Sequence, residues 1–325
     1  MPFDQSNWLW MNGGVRRWQD ATVHVSSHTL HYGSGVFEGM RCYQTSKGPA
    51  IFRLREHLAR LYASAEVYGI AIPYSRDELR AAVIETIRAN EFESCYIRPI
   101  CFHGSSVLSV HPRTCPVEVA VLAWPWGSYL GEVQAGARVT ISKWARFHSS
   151  MMPTTAKACG QYVNSMLANR EAVAGGFDEA IMLDSDGYIA EGSGENLFLV
   201  RDRRLITNDE ESSILPGVTR DAIIEIARDR RYEVSIRKIT VEDLLSSDEA
   251  FFTGTAAEVT PIGEVDGTVI GKAQAPGPVT RDLSEAFLSI AAGEDSRYES
   301  WLSYVAQESA MEVELREKEE VGLSV

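Results

Sequence analysis

The segment Ala190-Glu-Gly-Ser-Gly-Glu-Asn196 leads directly into the apolar run Leu197 to Val200. Glycines and small polar residues at this spacing predict a tight turn, and the apolar residues after it predict a strand. Glu191 is an acid inside that turn. Most acids in turns are solvated, so the segment alone leaves open whether Glu191 has a chemical role or is a surface residue.

Two further turns punctuated by glycine lie nearby in the sequence. Leu215-Pro-Gly-Val-Thr-Arg220 runs into an amphipathic helix predicted from Val218 to Asp229. The N–H groups at such a helix start favour a phosphate, although Pro-Gly followed by threonine is also an ordinary way to begin a helix. Phe252-Thr-Gly-Thr-Ala-Ala257 ends a predicted strand, and it either presents amides and the Thr255 hydroxyl to an anion or is a plain strand exit.

One lysine has unusual surroundings. Lys157 lies in Pro153-Thr-Thr-Ala-Lys-Ala-Cys-Gly-Gln-Tyr162, among small and uncharged residues. Desolvation lowers the pKa of a lysine and makes it a nucleophile for carbonyl carbons. An exposed, unreactive lysine is the usual alternative. The sequence has no dinucleotide-binding glycine motif, no P-loop and no hydrolase nucleophile elbow, which leaves those enzyme classes without support.

The length of 325 residues exceeds what a single core usually supports, so two domains are predicted. We expect a first domain at 1–125, an interdomain loop at 126–136 and a second domain at 137–325. Helix and strand signals alternate irregularly, which predicts an α+β fold. The predicted helices are 54–68, 77–90, 218–229 and 280–291. The predicted strands are 8–12, 21–25, 95–102, 117–124, 138–144, 179–183, 197–200, 250–253 and 258–265. A charged segment at 308–320 is predicted to be solvated.

Charge and cysteine content narrow the function. The net charge of −14 argues against nucleic acid or an anionic membrane as a partner. No apolar run is long enough to span a membrane, and the N-terminus does not have the pattern of a secretory signal. The five cysteines are scattered without metal-ligand spacing, which predicts reduced thiols, a cytoplasmic location and no metal site.

Each of these motifs is weak alone, but their ordered set resembles the fold-type-IV pyridoxal-phosphate enzymes, and specifically the branched-chain amino acid aminotransferases. The resemblance covers about residues 12–305. It implies a small N-terminal α/β domain and a larger C-terminal domain with a β-barrel-like core. The matching stretches are His31–Arg41, Glu56–Leu61, Cys95–Ile100, Trp124–Gly131, Pro153–Tyr162, Ala190–Phe198, Leu215–Arg220 and Thr253–Pro261.

The resemblance implies pyridoxal 5′-phosphate as the cofactor. Lys157 would bind it covalently and afterwards carry the substrate proton. Glu191 would face the pyridine nitrogen and keep it protonated, so that the ring acts as an electron sink. Tyr162 would donate to the phenolic oxygen. The phosphate would be held by Arg60, the amides around Val218 and Thr219, and Thr255.

The resemblance also implies a pocket that takes both an alkyl chain and a carboxylate, since the substrates are small amino acids and 2-oxo acids. Tyr96 and the amides of Thr255 and Ala256 would hold the α-carboxylate, and Arg98 and Tyr32 the distal carboxylate of glutamate. Tyr32 would come from the neighbouring subunit of a homodimer. The apolar lining would consist of Phe37, Trp126 and Tyr129, although core packing is the common alternative for such aromatic residues.

Three departures from the family pattern put the amino-acid range in question. Cys159 and Gln161 replace the usual residues of the lysine motif, and the loop at 103–112 does not have the typical glycine-rich form. The rival activities are those of D-amino acid aminotransferase, (R)-selective amine aminotransferase and aminodeoxychorismate lyase. Tyr96 and Arg98 favour the branched-chain type. A non-catalytic relative would be expected to lack Lys157 or Glu191, and both are present.

Overall fold

A glycine-containing hairpin begins the first of the two compact units into which the chain divides. The computed structural model describes residues 6–127, 136–271 and 274–306. The described part of the first unit lies within Met1–Trp126 and Ser289–Val325, and that of the second within Gly127–Leu288. Asn12 and Gly13 both have positive φ, which matches the twist of a two-residue hairpin turn and pairs the first two strands.

The first unit contains an eight-stranded sheet among its described residues. Its strands are β1 (Trp8–Met11), β2 (Gly14–Arg17), β3 (Gly35–Phe37), β4 (Met40–Thr45), β5 (Gly48–Phe52), β6 (Cys95–His103), β7 (Val117–Trp124) and, from the C-terminal part, β17 (Leu302–Tyr304). The spatial order of these strands is β17-β5-β4-β6-β7-β1-β2, with β3 paired to β6. The helices are α1 (His28–Tyr32), α2 (Leu54–Val67) and α3 (Arg76–Ala89).

Helix α3 shows how the sequence positions these elements. Ser75 and Glu78 cap its first turn reciprocally. Its apolar residues recur at helical spacing and are almost completely buried, as the sequence pattern predicts. The buried face includes Leu79, Val83, Ile84 and Ile87.

The C-terminal part of the described chain groups with the first unit. β17 pairs antiparallel with β5, through Leu302 opposite Phe52 and Tyr304 opposite Ala50. The sequence predicts one second domain over 137–325, whereas Ser289 and the described residues after it belong to the first unit. Strand pairing between residues so far apart in the chain leaves no local signal, because a single edge strand of three residues has no periodicity of its own.

The second unit contains a nine-stranded mixed sheet among its described residues. Its strands are β8 (Ala137–Ile141), β9 (Glu179–Leu183), β10 (Ile189–Gly192), β11 (Asn196–Arg201), β12 (Arg204–Thr207), β13 (Val234–Ile236), β14 (Glu249–Gly254), β15 (Glu258–Val265) and β16 (Thr268–Val269). The spatial order of these strands is β10-β9-β8-β15-β14-β11-β12-β13, with β16 paired to β15. Its helices are α4 (Tyr162–Ala174), α5 (Val218–Asp229), α6 (Val241–Leu245) and α7 (Pro278–Ala291), which extends past Leu288.

This second sheet curls into a half-barrel. An isolated bridge between Ile189 and Ile239 links β10 to the chain just after β13, so the two ends of the strand order approach each other. Leu197 and Leu199 belong to the apolar core on one face. Phe198 lies between them on the other face and stacks on Phe251 at 5.1 Å, as strand alternation requires.

The four predicted helices are confirmed within two residues at each end. The predicted strand at 21–25 is wrong, because the chain there leaves a 3₁₀ turn at Trp18–Asp20 and forms no ladder. Helix α4 was not predicted, since its apolar residues are spread around the helix without a clear stripe. The charged segment at 308–320 lies outside the described residues, as does most of the predicted interdomain loop.

Candidate active site

Lys157 and Tyr162 meet in the second unit. The Lys157 Nζ donates a hydrogen bond to the Tyr162 hydroxyl at 2.6 Å and lies 5.0 Å from the centre of its ring. Tyr162 begins α4, so its position is fixed by the helix. It also lines a cavity of about 450 Å³, together with Cys159, Ser193 and Gly194. The structure therefore places the predicted nucleophile in contact with a tyrosine hydroxyl whose residue lines a cavity.

The segment that carries Lys157 is closed by Gln161, one of the departures from the family pattern. Gln161 is buried, and its side-chain amide donates to the carbonyl of Pro153 at 2.7 Å. Cys159 begins the 3₁₀ turn that leads into α4. Gln161 thus joins the two ends of the segment around Lys157, which gives this residue a structural role.

Glu191 is buried in β10, so the turn that the sequence predicts over 190–196 is confined to residues 193–195. Its Oε2 accepts from the Leu215 N–H at 2.9 Å and from the Asn196 side-chain amide at 3.3 Å. Its Oε1 lies 2.9 Å from the Nε of Arg146. A guanidinium and two further N–H groups offset the cost of burying a carboxylate. The solvated-turn alternative for Glu191 is therefore wrong, since only 6% of the residue is exposed.

The start of α5 lies in the second glycine-containing turn, Leu215–Arg220, for which the sequence predicts phosphate binding. Gly217 is its N-cap residue and supplies no side-chain cap to the first N–H groups of the helix. Val218 and Thr219 are both buried there. A helix start of this kind is suited to bind a phosphate.

The third predicted turn joins β14 to β15 and carries Thr255 and Ala256. Asn196 pairs with Thr253 at the end of β14. A Cβ atom built on Gly254 would lie 3.6 Å from the carbonyl oxygen of Gly194, so this turn packs against the one that follows Glu191. The structure brings all three glycine-containing turns together in the second unit.

These residues fit pyridoxal phosphate. The cofactor needs an amine, an acid for its ring nitrogen and N–H groups for its phosphate, and Lys157, Glu191 and the start of α5 supply them. The Thr253 hydroxyl is buried and has no hydrogen-bond partner among the described residues. Within that same part of the chain, no cluster of His, Cys, Asp and Glu is placed to hold a metal ion.

Two more buried acids, Glu195 and Glu179, interact with each other in the second unit. Burial raises the pKa of the Glu195 carboxyl well above its usual range, and the charges of Glu179 and Glu191 raise it further. Burial also raises the pKa of Glu179, whose carboxylate accepts from Asn169 at 3.1 Å. The surroundings of Glu195 thus favour its neutral form, whereas the guanidinium and the two N–H groups around Glu191 favour a carboxylate.

Arg98 is the centre of an aromatic cluster in the first unit. Its guanidinium lies over the rings of Phe37 at 4.7 Å, Tyr96 at 5.4 Å and Trp124 at 5.8 Å. Its Nη2 is 3.4 Å from the Tyr96 hydroxyl, and its buried Nε has no hydrogen-bond partner among the described residues. No carboxylate in that part of the chain forms an ion pair with Arg98. A partly buried cation of this kind is prepared to accept an anion.

Trp126 joins the same cluster, with its ring 4.9 Å from that of Tyr96. The Tyr96 hydroxyl lies against Gly39, where any Cβ atom would collide with it. Gly39 directly precedes β4, so the glycine makes room for Tyr96 at the start of that strand. Phe37, Tyr96, Arg98 and Trp126 are thus brought together, whereas Tyr129 lies outside the described residues.

Tyr32 stands apart from the cluster around Arg98. It is 45% exposed on α1, and its ring packs on His28 at 4.5 Å. His28 in turn contacts the carbonyl of Ser109 through Nε2 at 2.7 Å, and so fastens α1 to the loop at 103–112. An exposed tyrosine on such a fixed support is compatible with the prediction that Tyr32 serves a neighbouring subunit.

Arg60 is held by a buried acid. Its Nε and Nη2 donate to the two carboxylate oxygens of Glu38 at 2.6 and 2.9 Å, and His57 Nδ1 lies 2.7 Å from the same carboxylate. Burial raises the pKa of Glu38, but the charges of Arg60 and His57 outweigh burial, so the pKa lies well below its ordinary value. The predicted role of Arg60 at the phosphate remains a prediction.

Four residues that contact the predicted site residues have no role predicted from the sequence: Arg146, Asn196, Glu38 and His57. Glu38 belongs to a quoted motif, and its position between an aromatic residue and a glycine was an available signal. Arg146 and Asn196 gave no signal of their own, because each acts through a contact with a residue far along the chain. Asn196 contacts Leu215, and Arg146 contacts Glu191.

The family described as amino-transferase class IV matches residues 35–265. The chain is similar to the branched-chain-amino-acid aminotransferase of Pseudomonas aeruginosa, with 46% identity over 304 residues that cover 93% of this chain and 98% of that protein. It also resembles two crystal structures of the branched-chain amino acid aminotransferase of T.th., both at 49% identity and covering 92% of this chain and 99% of theirs. One contains N-(5′-phosphopyridoxyl)-L-glutamate, with a TM-score of 0.89, and the other contains 4-methylvaleric acid, with a TM-score of 0.88.

Proposed function

Since this chain belongs to the amino-transferase class IV family, we propose that it is a branched-chain-amino-acid aminotransferase that uses pyridoxal 5′-phosphate. It transfers the amino group between leucine, isoleucine or valine and 2-oxoglutarate. The observation that carries the proposal lies in the second unit. There the Lys157 amine donates a hydrogen bond to the hydroxyl of Tyr162, a residue that lines a cavity. The buried carboxylate of Glu191 accepts a hydrogen bond from Leu215, which lies just before the uncapped start of α5.

When bound, the cofactor supplies a reactive carbonyl carbon and a ring that accepts electrons. Lys157 presents the amine for covalent attachment, and it holds the proton that leaves the α-carbon of the substrate. The Tyr162 hydroxyl positions the Lys157 Nζ. The carboxylate of Glu191 faces the ring nitrogen of the bound cofactor and keeps that nitrogen protonated. The amides of Val218 and Thr219, with Thr255, hold the phosphate, and Arg60 is proposed as a further phosphate ligand.

The substrate range is supported by the cluster around Arg98. Its aromatic rings suit an alkyl side chain, while its guanidinium, which forms no ion pair among the described residues, suits the distal carboxylate of glutamate or 2-oxoglutarate. The relative from T.th. was crystallised with a glutamate derivative and with 4-methylvaleric acid, whose branched alkyl chain carries no charge. We propose the same dual use here, with Tyr96, Thr255 and Ala256 toward the α-carboxylate and Phe37, Trp126 and Tyr129 around the side chain.

A homodimer and a cytoplasmic location complete the proposal. The 45% exposure of Tyr32 supports its use by a neighbouring subunit. The five cysteines carry reduced thiols, which suits a reducing compartment. No helix in the described part of the chain is long and apolar enough to cross a membrane.

A substrate panel tests the proposal. Turnover is measured with leucine, D-alanine and (R)-phenylethylamine, each with 2-oxoglutarate, and we expect turnover with leucine alone. Visible absorbance reports the bound cofactor. Lys157→Ala should fold and abolish both turnover and the absorbance of the lysine-bound cofactor. Lys238→Ala, which changes a lysine that pairs with Asp186, is the matched control and should behave like the wild type.

Preferential turnover of D-alanine or of the (R)-amine would replace the branched-chain assignment by one of the rival activities. Wild-type turnover in Lys157→Ala would show that another group is the nucleophile. A wild-type protein without visible absorbance after incubation with pyridoxal phosphate would refute the assignment of the cofactor.

A further inference from the structure

The side-chain amide of Asn196 joins two elements of the proposed cofactor site. Its Nδ2 donates to the carbonyl of Leu215 at 2.9 Å and to the Glu191 Oε2 at 3.3 Å. The Leu215 N–H donates to the same carboxylate oxygen at 2.9 Å. Asn196, Glu191 and Leu215 therefore form a closed triangle of hydrogen bonds, and two of its three sides depend on one amide group.

The other end of that amide packs against the start of α5. A Cβ atom on Gly217 would collide with the Oδ1 of Asn196. Gly217 has φ −75° and ψ 134°, a conformation open to any residue. Glycine is therefore needed here for space and not for its backbone freedom. Asn196 packs directly on the N-cap residue of the helix whose amides are proposed to hold the phosphate.

Asn196 is well suited to be the fixed point of this arrangement. It is the first residue of β11, a strand paired on both sides, with β14 and with β12. Its own backbone lies opposite Thr253, and 6% of the residue is exposed. Glu191 precedes it in the sequence, on β10, and Leu215 follows it, in the irregular segment before α5. The first residue of β11 thus presents one amide both to a neighbouring strand and to an irregular segment.

We propose that Asn196 is a positioning residue that sets the distance between the carboxylate of Glu191 and the phosphate-binding start of α5. This inference rests on the proposed function. Pyridoxal phosphate is a stiff ligand, with its ring nitrogen and its phosphate at a nearly fixed separation. Both ends are bound well at once only if the protein groups keep the matching separation.

The test compares the binding of pyridoxal phosphate, the joined ligand, with the binding of its two separate parts, pyridoxal and inorganic phosphate. Binding of pyridoxal phosphate to the protein is measured for the wild type and for Asn196→Ala, and so is binding of pyridoxal in the presence of inorganic phosphate. We expect Asn196→Ala to weaken pyridoxal phosphate about tenfold, within the range for residues coupled in one hydrogen-bond network. The separate parts need no fixed spacing, so their binding should change by less than about threefold, which is under about 0.7 kcal/mol.

Two further variants make the test decisive. In a Glu191→Gln background, Asn196→Ala should add less than it does alone, because Asn196 acts through Glu191. Asn196→Ser keeps a small polar residue in the strand and replaces Asn196→Ala if that variant does not fold. Asn90→Ala is the control for general destabilisation, since Asn90 forms structural hydrogen bonds with Trp8 and Thr86 in the first unit.

Equal weakening of the joined ligand and of its separate parts would overturn the inference, and so would independent effects of Asn196→Ala and Glu191→Gln. Either result would leave Asn196 as an ordinary structural residue, with a loss of thermal stability like that of Asn90→Ala. Failure of the proposed function gives a different result. In that case the wild-type protein itself would not bind pyridoxal phosphate.

Discussion

The side-chain nitrogen of Lys157 lies 2.6 Å from the phenolic oxygen of Tyr162, five residues further along the chain. The two residues are separated by a 3₁₀ turn, and Tyr162 starts α4. A short segment closed by the Gln161 amide therefore fixes both partners. The arrangement couples the proton on the lysine to a hydroxyl that has a defined position.

Tyr162→Phe should keep the aromatic ring beside Lys157 and remove only the hydroxyl. A hydrogen bond to a charged group contributes about 1.5–3 kcal/mol, so we expect turnover to fall about tenfold or more. The pH at which the visible absorbance of the bound cofactor changes should also move. Tyr188→Phe is the matched control, because Tyr188 also has a lysine over its ring, Lys238 at 5.1 Å. Unchanged turnover and absorbance would exclude a role for the hydroxyl.

Substitution by glutamine should lower turnover strongly at Glu191 and hardly at Glu195. Glu191→Gln removes the charge proposed to face the ring nitrogen, so turnover should fall at least about a hundredfold, near 3 kcal/mol of barrier, with the cofactor still bound. Glu195→Gln should change turnover by less than about threefold, because burial raises the pKa of Glu195 and the neutral amide resembles the protonated acid. The reverse ranking would show that Glu195 is the functional acid.

Arg98→Leu should separate the two classes of substrate. Glutamate and 2-oxoglutarate would lose the partner of their distal carboxylate, which should weaken the binding of each by about 2–5 kcal/mol. Leucine places a neutral chain in the same cluster and should change far less. The measurement is a single turnover with each amino acid, which avoids the need for a 2-oxo acid. Equal losses with both substrates, together with a lower melting temperature, would make Arg98 a structural residue of β6.

The Glu38–Arg60–His57 group should make the protein sensitive to acid. The pKa of Glu38 in the folded state lies below its ordinary value of 4.5, so its stabilising effect is complete above that pH and is lost as the pH falls below it. Glu38→Gln leaves Arg60 without this partner in a buried place and should cost about 3–5 kcal/mol at neutral pH. Thermal unfolding between about pH 6 and about pH 3 checks this. The variant should lose less stability than the wild type over that range, and parallel curves would contradict the assignment.

Sequence patterns were enough to predict the family, the fold class and four of the helices, although not α4. Local patterns were sufficient there. Helix α3 has a capping box and an apolar stripe, and α5 follows Pro216-Gly217. Eight short motifs in one order along the chain predicted the family, because an ordered set carries far more information than any single glycine turn, and the family match over residues 35–265 confirms it. The same motifs predict the roles of Lys157 and Glu191, since both residues belong to them.

Tertiary structure alone decided which residues support them. Asn196 and Leu215 are 19 positions apart, and Arg146 and Glu191 are 45 apart, so neither pairing has a local pattern. The same is true of β17, which joins the first unit through a ladder to β5. Periodicity reports which face of an element is buried, but not which distant group that face meets. The chain's contacts across its sheets, and not its local composition, turned an acid in a glycine-rich turn into a buried carboxylate held by two N–H groups and a guanidinium.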